Sequence, residues 1–213
     1  MKKWAIIVAG GKGLRMGSDI PKQFLKIAGK PIIALTIEKF LQMDQHIQVI
    51  VVTPQDHREL WDQIQSAHFP HESIVRVNGG KTRFESVRNG LDTIHEEGIV
   101  AIHDAVRPYV TAEIIMNCYD SAEKQGSGVA AVPLKDSIRE IAHHKNVSRS
   151  RADFRLVQTP QTFRLSEIKD AFAQAPHTDF TDDASVYEAA GYDVKLIEGS
   201  YENSKITTPG DLR

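Results

Sequence analysis

Short apolar runs alternate with longer amphipathic stretches along most of this chain. Residues 4–9 form a compact, β-branched-rich run closed by glycines, which predicts a buried strand. Residues 31–43 place Ile32, Ile33, Leu35, Thr36, Ile37, Phe40 and Leu41 on a broad apolar face behind a leading proline, which predicts a helix. The alternation continues with strands at 47–52, 74–77, 99–102 and 128–132, and helices at about 55–67, 83–95 and 111–124, the last with Thr111 as N-cap. Strand and helix taking turns in this way predict a three-layer α/β domain: a mostly parallel, twisted sheet covered by helices on both faces. The pattern changes at residues 136–159. Two strand-like runs, 137–141 and 154–158, flank the polar tract 143–153, an arrangement that predicts an antiparallel excursion with His143, His144 and Lys145 at a solvated tip. Helices at 165–173 and 182–190 and a strand at 194–198 follow. No internal repeat or linker interrupts the chain, so residues 1–213 are read as one domain.

Composition narrows the class. With 213 residues, 41% hydrophobic and 25% charged, the chain suits a single core and not a disordered segment. The formal net charge of −2 disfavours nucleic acid as a partner, and an anionic substrate would need a local cluster of basic residues. Lys2 and Lys3 ahead of an apolar run have the outline of a targeting segment, but the run stops at Gly10 where an h-region would continue. No stretch reaches the roughly 18 apolar residues of a membrane span. The single cysteine, Cys118, fits a reducing cytoplasm. The nine histidines show no zinc-type pairing, and Trp61 and Phe69 read as core.

The strongest local signal is Gly10-Gly11-Lys12-Gly13-Leu14-Arg15-Met16 directly after the first strand. Glycines there let backbone N–H groups approach a phosphate. A dinucleotide fingerprint fails because Met16 stands at the third glycine position and Thr53-Pro54 ends the second strand where a ribose acid would stand. A Walker A loop fails because its first glycine would fall at Val75, ahead of Gly80-Lys81-Thr82.

Together with Pro21-Lys22-Gln23, this loop resembles that of nucleotide-sugar pyrophosphorylase-type nucleotidyltransferases. Later segments extend the resemblance to the 2-C-methyl-D-erythritol 4-phosphate cytidylyltransferase family. They are Gly79-Gly80-Lys81-Thr82-Arg83-x-x-Ser86, His103-Asp104-Ala105-Val106-Arg107-Pro108, Thr159-Pro160-Gln161-Thr162-Phe163, Thr181-Asp182-Asp183-Ala184 and Asn203-Ser204-Lys205-Ile206-Thr207. The sequence departs from the family at Lys81, where an acid or polar residue is usual, and it ends at Arg213 where the family continues into a helix.

The resemblance implies a Rossmann-like nucleotidyltransferase fold and a reaction in which a sugar-alcohol phosphate attacks the α-phosphorus of CTP and releases pyrophosphate. Both reactants are anions, so cations and alignment must carry much of the catalysis. The implied catalytic cations are Arg15, Lys22 and Lys205. The implied nucleotide contacts are Ala9, Gly10, Gly11, Lys12, Gly13, Gly80, Ser86, Asp104 and Ala105, with the Gly80 backbone and the Ser86 hydroxyl reading cytosine. The implied acceptor contacts are Arg107, Ser137, Arg151, Thr159 and Thr181, with residues 136–159 forming a dimerisation arm that sends Arg151 into a second subunit's site. Read locally, Thr181-Asp182-Asp183 is also a sound helix N-terminus. Magnesium, or another divalent cation, would accompany CTP; no ligand is assigned, and direct contact by Asp104 stays open. Two alternatives remain at this stage: a ribitol-5-phosphate cytidylyltransferase, and a nucleotide-binding regulator without turnover.

Overall fold

The parity of the first strand sets the three layers. In β1 (Lys2–Val8) Ala5 and Ile7 face one side of the sheet, while Trp4, Ile6 and Val8 face the other. Both sets are buried, as expected for a central parallel strand. The computed structural model describes residues 1–10, 21–142 and 145–211. The glycine loop from Gly11 onward, His143 and His144 therefore lie outside the described residues.

The chain continues through a small hairpin, β2 (Lys26–Ile27) and β3 (Lys30–Pro31), into α1 (Ile32–Met43). It then alternates through β4 (Gln48–Thr53), α2 (Arg58–His68), β5 (Val75–Asn78), α3 (Arg83–Asp92), β6 (Gly98–Asp104), α4 (Ala112–Gln125) and β7 (Ser127–Pro133). After the arm strands β8 (Ile138–Ala142) and β9 (Lys145–Arg149) come β10 (Arg155–Arg164), α5 (Leu165–Gln174), α6 (Asp183–Ala189) and β11 (Leu196–Glu198). The main sheet has seven strands in the order β11-β7-β10-β6-β1-β4-β5, and only β10 runs antiparallel to its neighbours. Helices α1, α2 and α4 cover one face, with Ile37, Phe40, Trp61 and Tyr119 in the core. Helices α3, α5 and α6 cover the other through Phe84, Leu91, Phe172 and Tyr187. Trp61 and Phe69 are core residues, as the sequence predicts. The Thr111 hydroxyl caps α4 by accepting from the Ile114 N–H at 3.3 Å. Among the described residues, no helix is long and apolar enough to cross a membrane.

The excursion is built differently from the sequence reading. The run 154–158 does not pair with 137–141 as a hairpin partner. It begins β10, which continues to Arg164 between β6 and β7 in the main sheet. The partner of β8 is β9, inside the tract read as polar and charged; Lys145 opens that strand and pairs with Ala142, so the expected tip at His143 and His144 falls between the two strands, outside the described residues. The physical reason is exposure: β9 is exposed along its length, so no alternation of apolar residues marks it. Pro160 argues against a central strand, yet the ladder shifts register between Val157 and Gln161, and Pro160 falls inside that shift.

Candidate active site

The carboxyl ends of β1, β4, β5 and β6 open into a cavity of about 980 Å³. Ligand crevices of open α/β sheets lie in this position. Among the described residues its wall includes Ala9 and Gly10 after β1, Pro54 to Asp56 after β4, Gly79 to Arg83 after β5, and Asp104 to Val106 after β6. Val8, Lys22, Gln23, Glu85, Lys205 and Thr207 also line it.

Asp104 is the electrostatic centre. Lys205 Nζ lies 2.9 Å from its Oδ2, and Arg107 Nε lies 3.4 Å from the same oxygen. Arg83 Nε stands 3.7 Å from Oδ1. Burial alone would raise the Asp104 carboxyl, but the Lys205 ammonium and the Arg83 and Arg107 guanidiniums outweigh it and hold the group well below the usual carboxylate range. Lys205, Arg83 and Arg107 face the two carboxylates Asp104 and Asp183, so the cluster keeps an excess of one positive charge, the sign an anionic ligand requires.

Each neighbour is anchored by the chain around it. Lys22 sits in a single 3-10 turn, and its ammonium donates to the Ile206 carbonyl at 2.9 Å, tying it to the segment that carries Lys205. Gln23 Nε2 donates to the Ala9 carbonyl at 2.6 Å, fixing the exit of β1. Asp211 Oδ2 accepts from the N–H groups of Thr207 and Thr208 and so braces the chain after Lys205. His103, fully buried, hydrogen-bonds through Nε2 to the Arg107 carbonyl. A carbonyl only accepts, so Nε2 carries the proton and Nδ1 accepts from the Thr159 hydroxyl at 3.1 Å. The Thr159 oxygen in turn accepts from the Asp104 N–H at 3.1 Å. Burial pushes the His103 imidazole down to about 4, so it is neutral at pH 7.

The base-side loop is equally tight. Ser86 Oγ accepts from the Gly80 N–H at 3.1 Å and donates to the Thr82 carbonyl at 2.9 Å. A Cβ on Gly10 or Gly79 would come within 3.0 or 3.1 Å of that same oxygen, so these two glycines permit the close packing of the loops.

Of the residues predicted from sequence, Ala9, Gly10, Lys22, Gly80, Asp104, Ala105 and Lys205 meet at this cavity. The N–H groups of Ala9 and Ala105 are already bonded to the carbonyls of Val52 and Val8. Ser86 is buried beneath the loop, and its hydroxyl proton is committed to Thr82. Arg107 lies behind Asp104 and donates to the Asn203 carbonyl at 2.8 Å. Thr159 is buried with its hydroxyl committed, whereas Thr181 is exposed on the loop before α6. Ser137 and Arg151 stand exposed on the arm, away from the cavity of their own chain. Gly11, Lys12, Gly13 and Arg15 lie outside the described residues. Sequence reasoning assigned no role to Arg83, although it sits in the same motif as Ser86, or to Asp183, which grips it.

The comparisons agree with this geometry. The family model for 2-C-methyl-D-erythritol 4-phosphate cytidylyltransferase matches residues 4–213. A relative of that name from Bacteroides thetaiotaomicron is 47% identical, the alignment covering 100% of this chain and 97% of the relative. One from Porphyromonas gingivalis is 46% identical over 99% of this chain and 95% of its own length. Among solved structures, the Francisella tularensis 2-C-methyl-D-erythritol 4-phosphate cytidylyltransferase superposes with a TM-score of 0.82 at 33% identity, covering 100% of this chain and 97% of that one. The 4-diphosphocytidyl-2C-methyl-D-erythritol synthase of Anaerococcus prevotii gives a TM-score of 0.86 at 25% identity, over 99% and 94%. With a family match over nearly its whole length and a cavity holding Lys22, Asp104 and Lys205 where the fold places its ligands, the chain belongs to the 2-C-methyl-D-erythritol 4-phosphate cytidylyltransferase family.

Proposed function

We propose that this chain carries out the cytidylyl transfer of its family at the cavity around Asp104. The phosphate of 2-C-methyl-D-erythritol 4-phosphate attacks the α-phosphorus of CTP, the bond to the β-phosphate oxygen breaks, and pyrophosphate leaves. The observation that carries the reading is the group of Lys205, Arg107 and Arg83 around one buried carboxylate on the wall of a cavity at the strand ends. Lys22, Lys205 and Arg15 offset the charge of the approaching anions and of the developing pyrophosphate. The Gly79-Gly80 backbone faces the base. The Ser86 hydroxyl, whose proton goes to Thr82, supports that backbone from below. Arg107 and Thr181 belong to the acceptor side.

A divalent cation fits this donor set. No group of three or more His, Cys, Asp or Glu side chains among the described residues forms a metal cage. Magnesium instead commonly binds through one or two carboxylates and substrate phosphates. Asp104 Oδ1 is the carboxylate oxygen that accepts no hydrogen bond from the described residues. Asp104 would hold the ion, which would polarise the phosphates of CTP.

The arm supports a two-fold dimer. Strand β9 is exposed along its length, and Ile141 and Val147 on the arm, with Phe154 and Leu156 around the start of β10 beside it, present apolar surface. In that assembly Ser137 and Arg151 reach the acceptor phosphate in the partner's site. The buried, lone Cys118 supports a reducing compartment such as the cytoplasm.

Pyrophosphate release, measured with each nucleoside triphosphate against methylerythritol, ribitol and glycerol phosphates, tests the reading. The expected result is turnover with CTP and methylerythritol phosphate above every other pair. Equal kcat/KM for CTP and UTP, or preference for ribitol phosphate, would overturn the respective assignment.

A further inference from the structure

Arg83 and Asp183 are 100 residues apart in sequence and form a two-point ion pair, with Nη1 to Oδ1 at 2.8 Å and Nη2 to Oδ2 at 2.6 Å. Asp183 is almost wholly buried, whereas the Arg83 side chain is 26% exposed, toward the cavity it lines. With both terminal nitrogens engaged, the guanidinium turns its Nε edge to Asp104 Oδ1 at 3.7 Å. That distance is short enough for strong attraction and too long for a hydrogen bond.

Asp183 is itself held from the sheet. The Gln161 carboxamide oxygen, in β10, accepts from the N–H groups of Asp183 and Ala184, each at 2.9 Å. Its nitrogen donates to Asp182 Oδ2 at 3.0 Å. Gln161 stands opposite Ile102 in β6, two residues before Asp104. Gln161, which holds the start of α6, and Asp104 thus lie on adjacent strands, and the Asp183 end of the pair is tied to the sheet that carries Asp104.

Stability is a weak explanation for such a pair. Buried ion pairs can often be replaced by packed apolar side chains at no cost. We propose that Arg83 and Asp183 are a positioning pair for cytidylyl transfer: Asp183 holds the Arg83 guanidinium beside Asp104 but off its Oδ1 oxygen, which accepts no hydrogen bond from the described residues and is thereby kept for the nucleotide side of the cavity. Without Asp183, Arg83 is free to close the gap and occupy Oδ1. Without Arg83, the carboxylate loses one of its three cations and the start of α3 loses its tie to α6. The proposal rests on the assignment of Asp104 to the nucleotide site.

The test replaces the pair by apolar residues of similar size, Arg83→Met with Asp183→Leu, beside Arg83→Lys and Asp104→Asn. Steady-state kinetics are measured separately for CTP and for methylerythritol phosphate, with thermal unfolding of each variant. The double variant is expected to melt near the wild type, to lose roughly 30-fold or more in kcat/KM for CTP, and to change KM for methylerythritol phosphate less than about threefold. Arg83→Lys keeps the charge but cannot grip Asp183 at two points while facing Asp104, and it is expected to lose roughly fivefold or more in the same parameter. CTP kinetics within threefold of wild type in the double variant, or equal losses for both substrates together with a lowered Tm, would overturn the proposal. If the double variant fails to fold, Arg83→Lys decides: unchanged CTP kinetics refute positioning. Asp104→Asn separates the two assignments. Full activity there removes Asp104 from the nucleotide site, whereas an inactive Asp104→Asn beside a fully active double variant refutes the pair alone.

Discussion

At the scale of single residues, the proposed transfer calls for charge neutralisation, and Lys22 and Lys205 are not independent of each other. Lys22 donates to the carbonyl of Ile206, the residue next to Lys205. Lys205→Ala is expected to cut kcat/KM by roughly 10²–10³, the scale seen when one preorganised electrostatic group is removed. Lys22→Ala is expected to cost a similar factor, partly by releasing the Lys205 segment. The double variant should therefore lose less than the product of the two single losses. Strictly multiplicative losses in stopped assays of pyrophosphate release would show that the Ile206 contact does not couple them. Cys118 stands outside this chemistry. Burial pushes its thiol up to about 12, so at pH 7–9 it is a neutral group inside the core. Native protein is expected to resist alkylation by iodoacetamide throughout that range and to react once unfolded in urea, with peptide mass as the readout. Lys205, Asp104 and Gly80 were legible because each sits in a contiguous motif. The Arg83–Asp183 pair was not, because contact between residues 100 positions apart is created by the fold and leaves no spacing to read. The internal bonds of Ser86, Ala9 and Ala105 were hidden for the same reason: motif position does not show which donors the fold has already used.

At the scale of elements, the helices and parallel strands were legible because their periodicity records burial. Strands β1, β4 and β6 are buried along nearly all of their length and read as continuous apolar runs. The exposed strand β9 and the proline-containing β10 lacked such a record. The tightest demand on any element near the site falls on the loop between β5 and α3. A Cβ on Gly80 would stand 2.2 Å from the Cβ of Glu85, in the first turn of α3, so the loop must move to admit it. If the loop faces the base as proposed, Gly80→Ala is expected to raise KM for CTP by roughly 10–100-fold, because the substitution displaces the loop groups. The loop stands clear of both cores, so Tm should fall by only a few degrees. Unchanged KM for CTP, or a collapse in Tm, would each contradict that placement of Gly80.

At the scale of the whole molecule, the proposed dimer gives the arm a contact role. An isolated two-stranded sheet is marginal in water, and the β8–β9 ladder is exposed and makes no sheet contact with the main body. Ile141 is 74% exposed and Leu156 52%, a liability for a free monomer but a contact surface for a dimer. Arg151 donates to the Lys135 carbonyl at the base of the arm, and its own chain's cavity does not include it. If Arg151 completes the partner's site, each site of the dimer needs Lys205 from one subunit and Arg151 from the other. Arg151→Ala and Lys205→Ala homodimers should then both be nearly inactive. Mixed dimers, formed by co-expression with two different affinity tags and purified through both, should hold one site lacking both side chains and one intact site. Their expected activity is about half that of the wild type per dimer, the fraction set by counting intact sites under shared-site geometry. A site built within one chain gives the opposite outcome, since every mixed dimer then keeps one defect in each site. Tandem-purified heterodimers no more active than the two parents would show that Arg151 does not act across the subunit boundary.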